Sequence, residues 1–131
     1  MQLTEIVNKL PNGFHDAILK KIELDFSSKE AKFYVDIDFS NTVDDELTYR
    51  SAVIMLGEVF YFSCVVPMII AEISKNGVRI GDIDLLSEKM KIKNKLPELP
   101  EGCQLYYMFV EDFNEFIVWG SLQARIIWNN I

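Results

Sequence analysis

The sequence predicts a mainly β domain, with α+β character only at the margin. It reads as an antiparallel curved sheet or sandwich built from hairpins, with a short N-terminal helix and room for one more. Three observations lead there. Apolar residues alternate with polar ones on both sides of the polar stretch "SSKE" at 27–30. Two further runs, "CQLYYMFVED" and "FIVWGSLQARIIW", are rich in aromatic and β-branched residues and flank the turn region "FNE". Long helical crossovers of the kind that join parallel strands are missing, which favours an all-antiparallel layout.

At the N-terminus, "LTEIVNKL" places Leu3, Ile6, Val7 and Leu10 at helical spacing. A helix this short needs a surface to dock on. "PNG" at 11–13 ends it and makes a turn. From Ile18 the period is two: Ile18, Lys20, Ile22, Leu24 and Phe26 share one face, and Leu19, Lys21, Glu23 and Asp25 the other. After the turn, Ala31, Phe33, Val35, Ile37 and Phe39 alternate with Lys32, Tyr34, Asp36, Asp38 and Ser40, which completes a hairpin.

The acidic stretch 40–47 reads as a loop. The run "YRSAVIMLGEVFYFSCVV" then reads as a long strand in a central position, with Gly57 marking a bulge or a close backbone approach and Pro67 its end. Residues 68–76 fit either a short helix or the first arm of a hairpin turning at Asn76-Gly77. Val78, Ile80, Ile83 and Leu85 favour a strand after that turn. Residues 87–102 are polar, hold Pro97 and Pro100, and read as a surface loop with a local basic patch at Lys89, Lys91, Lys93 and Lys95 near Arg79. In the last run, Gly120 marks a kink, and Leu122, Ala124, Ile126 and Trp128 face away from Gln123, Arg125 and Ile127.

The chain is 131 residues long and half hydrophobic, which suits one domain, 1–131, with a real core. A formal net charge of −7 opposes a nucleic-acid partner and is compatible with a basic protein. The opening "MQLTEIVNKL" lacks a basic segment followed by a long apolar run, and the apolar stretch 52–71 is broken by Gly57, Glu58, Ser63 and Pro67. A soluble, cytoplasmic protein with no membrane partner is expected. Cys64 and Cys103 have neither disulfide-framework nor metal spacing and read as two buried thiols. No cofactor is expected, since no glycine-rich phosphate loop or metal-ligand set is present. The aromatics Phe60, Tyr61, Phe62, Tyr106, Tyr107, Phe109, Phe113, Phe116, Trp119 and Trp128 read as core packing.

His15 is the single histidine, inside "GFHDA" at 13–17. With Asp16 it can pin the helix to the sheet, bind a partner, or serve catalysis. Catalysis is disfavoured on geometry, because consecutive side chains on an extended strand point to opposite faces unless the chain turns. Candidate partner-binding residues are His15 and Asp16, the acidic loop Asp44, Asp45 and Glu46, and the acidic edge Glu111, Asp112 and Glu115.

Gly13, Phe14, His15, Asp16 and Ala17, followed by alternating Ile22, Leu24, Phe33, Val35 and Ile37, resemble the opening of small uncharacterised bacterial proteins. Some of these are similar to immunity proteins of contact-dependent or polymorphic toxin systems. The resemblance implies a noncatalytic domain that binds and neutralises a toxin, and it carries no catalytic residue with it. Two other classes stay open: a small-ligand protein or enzyme centred on His15, and a structural homo-oligomer pairing through an edge strand at 118–128. Monomer and homodimer are both open.

Overall fold

The computed structural model describes residues 3–39, 49–65, 77–87, 89, 100–102, 104–112 and 114–129. Helix α1 spans Leu3–Asn8, followed by β1 (Ile18–Asp25), β2 (Glu30–Asp38), β3 (Tyr49–Ser63), β4 (Val78–Leu85), β5 (Gln104–Val110) and β6 (Glu115–Trp128). Every neighbouring pair is antiparallel, and the strands close into a barrel in the order β1-β2-β3-β6-β5-β4. The expected curved antiparallel sheet is therefore present, curled until its ends meet. The expected hairpin or helix at 68–76 lies outside the described residues, as do residues 88 and 90–99 of the Lys-rich stretch 87–102, while Lys89 is exposed.

The hairpin β1–β2 forms where period-two alternation predicts it, but β1 changes phase. A bulge between Leu19 and Lys21 lets Ala17 and Leu19 face the core before it and Ile22 and Leu24 after it. This corrects the single-face assignment of Ile18 to Phe26. Lys20 is the extra residue, and its Nζ lies 2.9 Å from Asp36 Oδ1. Phe26 is 84% exposed in the turn. That turn is held by Asp25, whose Oδ1 accepts from Ser27 N (2.9 Å), Ser27 Oγ (2.7 Å) and Ser28 N (3.2 Å). The Ser27 hydroxyl and then the two amides keep the Asp25 carboxyl below its ordinary range.

A group whose folded pKa is depressed stabilises the fold above its unfolded pKa and loses that effect as pH falls through the folded value. Asp25→Ala is therefore expected to lower the thermal midpoint at pH ~7, and the gap to wild type should close by about pH 2. Thermal unfolding at both pH values checks this.

β3 and β6 are the long strands, and both change inward phase midway. On β3, Ala52, Ile54 and Leu56 point inward, then Val59 and Phe62. The change falls at Glu58 (φ 52°) and at a bulge between Val59 and Tyr61. Gly57 sits beside it, where a Cβ would meet the Gln123 side chain at 3.4 Å. On β6 the inward set passes from Ile117 and Trp119 to Ala124, Ile126 and Trp128, the latter three as the alternation predicts. These bent strands pair with each other along most of their length and join β1-β2 to β5-β4 within the one barrel. Helix α1 packs against β6, with Leu3 and Ile6 buried in the main core. It finds there the docking surface its length demands.

The barrel interior is aromatic at its centre. Trp119 is fully buried, edge-on to Phe33 at 5.0 Å and stacked with Tyr106 at 5.9 Å. Cys64, expected to be buried, is exposed just beyond the end of β3, because the chain is leaving the sheet there. Close neighbours still push its thiol above the ordinary range by desolvation. Cys103 lies outside the described residues. No helix among the described residues is long and apolar enough to cross a membrane.

Candidate functional site: the barrel seam and the outer face beside it

The "GFHDA" stretch builds the seam where β1 meets β4. Gly13 takes φ 55°. Tight turns follow, with His15 N donating to Asn12 O and Ala17 N to Phe14 O, both at 3.1 Å. Phe14 and Ala17 drop into the core. Asp16 adopts φ 61°, a left-handed conformation that aspartate tolerates better than most residues. There its backbone N–H donates to Ile80 O (3.1 Å), while Ile80 N donates to Ala17 O (2.8 Å). Register pairs Ile18–Arg79 and Leu19–Val78 finish the seam.

His15 and Asp16 do meet. Nδ1 of His15 lies 3.0 Å from Oδ2 of Asp16, because the left-handed turn removes the strand geometry that would separate them. The imidazole is 68% exposed, and Asp16 is its one side-chain partner among the described residues. Among the described residues no hydroxyl or thiol side chain is bonded to the ring. A cleft of about 370 Å³ lies over Met55, Gly57, Gln123 and Arg125.

The acidic edge comes to the same seam. Arg79 N donates to Asp112 Oδ2 (2.8 Å), and Glu111 N donates to Arg79 O (3.0 Å). Asn114, at φ 53°, donates its N–H to Glu111 O and completes the turn into β6. Asp112 thus has a local task as a backbone acceptor, whereas Glu115 is exposed and opposite Val110. Asp44, Asp45 and Glu46 lie outside the described residues. Tyr49, at the start of β3, donates its hydroxyl to Asp16 O at 3.4 Å. Burial, then the carboxylates of Asp38 and Asp16, push its phenol up.

Next to this edge lies a feature the sequence reading assigned wholly to the core. β5 alternates Tyr106, Met108 and Val110 inward with Leu105, Tyr107 and Phe109 outward. On β6, Phe116 and Val118 join the outer set. Phe109 and Phe116 rings are 5.0 Å apart, and Tyr107 meets Phe116 edge-on at 5.5 Å. Leu86, Leu105 and Val118 form a small second cluster with Tyr61 and Tyr107. Carboxylates border it: Tyr107 donates to Asp82 Oδ2 at 3.4 Å, and Asp84 is its register partner on β4. Burial first, then Asp82 and Asp84, push the Tyr107 phenol up.

The signal for this face was in the sequence. "LYYMFV" is apolar in both phases, and a strand apolar in both phases is covered on both sides. Of its three aromatics, Tyr106 packs inward, and Tyr107 and Phe109 face out.

Among the described residues no three His, Cys, Asp or Glu side chains gather into a metal-binding group. Compared with protein-family models, with curated proteins and with solved structures, the chain gives no match.

Proposed function

We propose that this chain is a noncatalytic protein-binding domain that captures and neutralises a basic protein, in the manner of a toxin-immunity protein. The outer face of β4, β5 and β6 makes the contact. One observation supports the reading above the rest: Tyr107, Phe109 and Phe116 form an outward aromatic group rimmed by Asp82 and Asp84. An apolar, aromatic centre within a polar rim is the anatomy of protein interfaces, and tyrosine is among their strongest anchors. The formal charge of −7 steers a basic partner towards it. Glu111, Asp112 and Glu115 extend the acidic rim, with His15 and Asp16 next to it across the seam. Asp44, Asp45 and Glu46 remain part of the proposal.

The test is capture by the immobilised chain from its source cells, then calorimetric titration of the captured basic protein. Asp82→Lys with Asp84→Lys is expected to weaken binding at least tenfold, and added salt should weaken the wild-type complex. Unchanged affinity in the double variant removes this face from the proposal. Charge reversal at Asp44, Asp45 and Glu46 tests the loop in the same titration.

A further inference from the structure

Gly57 carries no side chain at a place where the backbone does not ask for a glycine. The left-handed residue of the β3 bend is its neighbour Glu58, at φ 52°, while Gly57 itself takes no positive φ. Space does not demand a glycine either. The atoms nearest a Cβ there all belong to the flexible Gln123 side chain, at 3.4 to 4.0 Å, which is ordinary contact. A glycine inside a strand weakens it and often marks the close approach of a ligand or of another backbone. Here the bare backbone lies in the floor of the cleft of about 370 Å³ on the outer face of β3 and β6. That size is within the range of small-ligand sites.

Three polar side chains of different chemistry stand around that floor. Register sets Arg125 opposite Met55 and Gln123 opposite Gly57. Glu30, at the start of β2, lines the cleft from the other side of β3. All three are exposed, and among the described residues Arg125 and Glu30 make no ion pair with each other. A cation and a carboxylate thus flank the cleft two strands apart, roughly 10 Å across the sheet. The Gln123 side chain lies against the bare backbone between them. We propose that this cleft binds a dipeptide-sized zwitterion, with its carboxylate on Arg125, its ammonium group on Glu30 and its peptide group against the Gln123 carboxamide. A guanidinium meets a carboxylate through two parallel hydrogen bonds. A carboxamide both donates and accepts, as a peptide group does. Met55 gives a side chain of the ligand an apolar surface. The site is separate from the outer aromatic face of β4, β5 and β6 and does not depend on it. The cleft is open to solvent, so binding is weak and falls with added salt.

Titration of the full chain with L-alanyl-L-alanine, followed by amide NMR, tests the proposal. Saturating shifts at Gly57, Gln123 and Arg125 are the expected result. Blocking either charge of the probe, by N-acetylation or by C-terminal amidation, should weaken binding about fivefold, the size of one exposed ion pair. Arg125→Gln should weaken the free dipeptide by the same factor and leave the amidated probe unaffected. Glu30→Gln should weaken the free dipeptide and leave the acetylated probe unaffected. Gly57→Ala places a methyl group on the floor. Circular dichroism should show that variant folded, and its binding should fall at least fivefold. The compound ε-aminocaproate carries both charges without a peptide group and should bind more weakly than the dipeptide. The absence of saturating shifts at the cleft overturns the proposal. So do blocked probes that bind as well as the free dipeptide, an Arg125→Gln variant that weakens every probe alike, or a Gly57→Ala variant that binds as wild type does. Binding of ε-aminocaproate as tight as that of the dipeptide overturns the assignment of a peptide.

Discussion

Gly77→Ala is expected to open the barrel along its seam and to cost about 3 kcal/mol or more. Gly77 holds φ 128°, a conformation that side chains of L-residues rarely adopt. A Cβ there would stand 2.4 Å from the carbonyl oxygen of Leu19 and 3.0 Å from Ile18 Cγ2. Both obstacles belong to β1 at its pairing with β4, and one is backbone, so relief requires the strands to part. Urea unfolding measures the loss. His15→Ala in the same assay is the control, because the seam is built from backbone groups of residues 16, 17 and 80 and not from the exposed imidazole. Its midpoint should stay close to wild type.

Trp119→Ala is the second large effect, with an expected loss of about 3–5 kcal/mol. That is a major share of the roughly 5–15 kcal/mol that holds a domain of this size. The indole is fully buried between Phe33 and Tyr106, so its removal leaves a void at the centre of the barrel. Trp119→Phe separates two contributions. It keeps an aromatic ring in the stack but deletes the indole Nε1–H, which is buried with no hydrogen-bond partner among the described residues. An unsatisfied buried donor costs about 1–3 kcal/mol, so its deletion offsets part of the lost packing. Trp119→Phe should therefore remain folded and lose much less than Trp119→Ala. Equal losses in the two variants would show that the N–H is satisfied and that shape alone matters there.

The hairpin β1–β2 was legible because alternation over Ala31 to Phe39 is uninterrupted, and a half-buried strand has no other way to place its apolar side chains. The phase of β1 was not. Lys20 reads as one polar intrusion on a regular strand, whereas the chain spends it on a bulge, and every later residue changes face. On β3 and β6 the sequence marked the irregular places, a bulge or close approach at Gly57 and a kink at Gly120, but the change of inward face beside them depends on how two distant strands wrap each other. Barrel closure was beyond the pattern as well, since it depends on a few backbone bonds between residues some sixty positions apart.

The site was legible as residues and illegible as an arrangement. His15, Asp16, Glu111 and Asp112 were named individually, yet it is Arg79 and Ile80 on β4 that bring them to one place. Geometry expected of a straight strand kept His15 and Asp16 apart, and the left-handed turn at Asp16 joins them. The outer aromatics were hidden by composition, which does not distinguish Tyr106 facing in from Tyr107 facing out. The proposed edge strand at 118–128 divides in two. Residues 118–121 are paired with β3 on one side and β5 on the other, while 123–128 have β3 alone among the described residues, and α1 packs on β6.

The fold assigned to this chain turns on a single junction, the hydrogen bonding of the 13–17 segment to β4. Amide hydrogen exchange followed by NMR reads that junction residue by residue. Protection of the Asp16 and Ile80 amides comparable to that of the β3–β6 ladder is the predicted result. Exchange of those two amides at open-chain rates, with the β3–β6 ladder still protected, would contradict it and leave an open sheet in which the "GFHDA" stretch has no structural task.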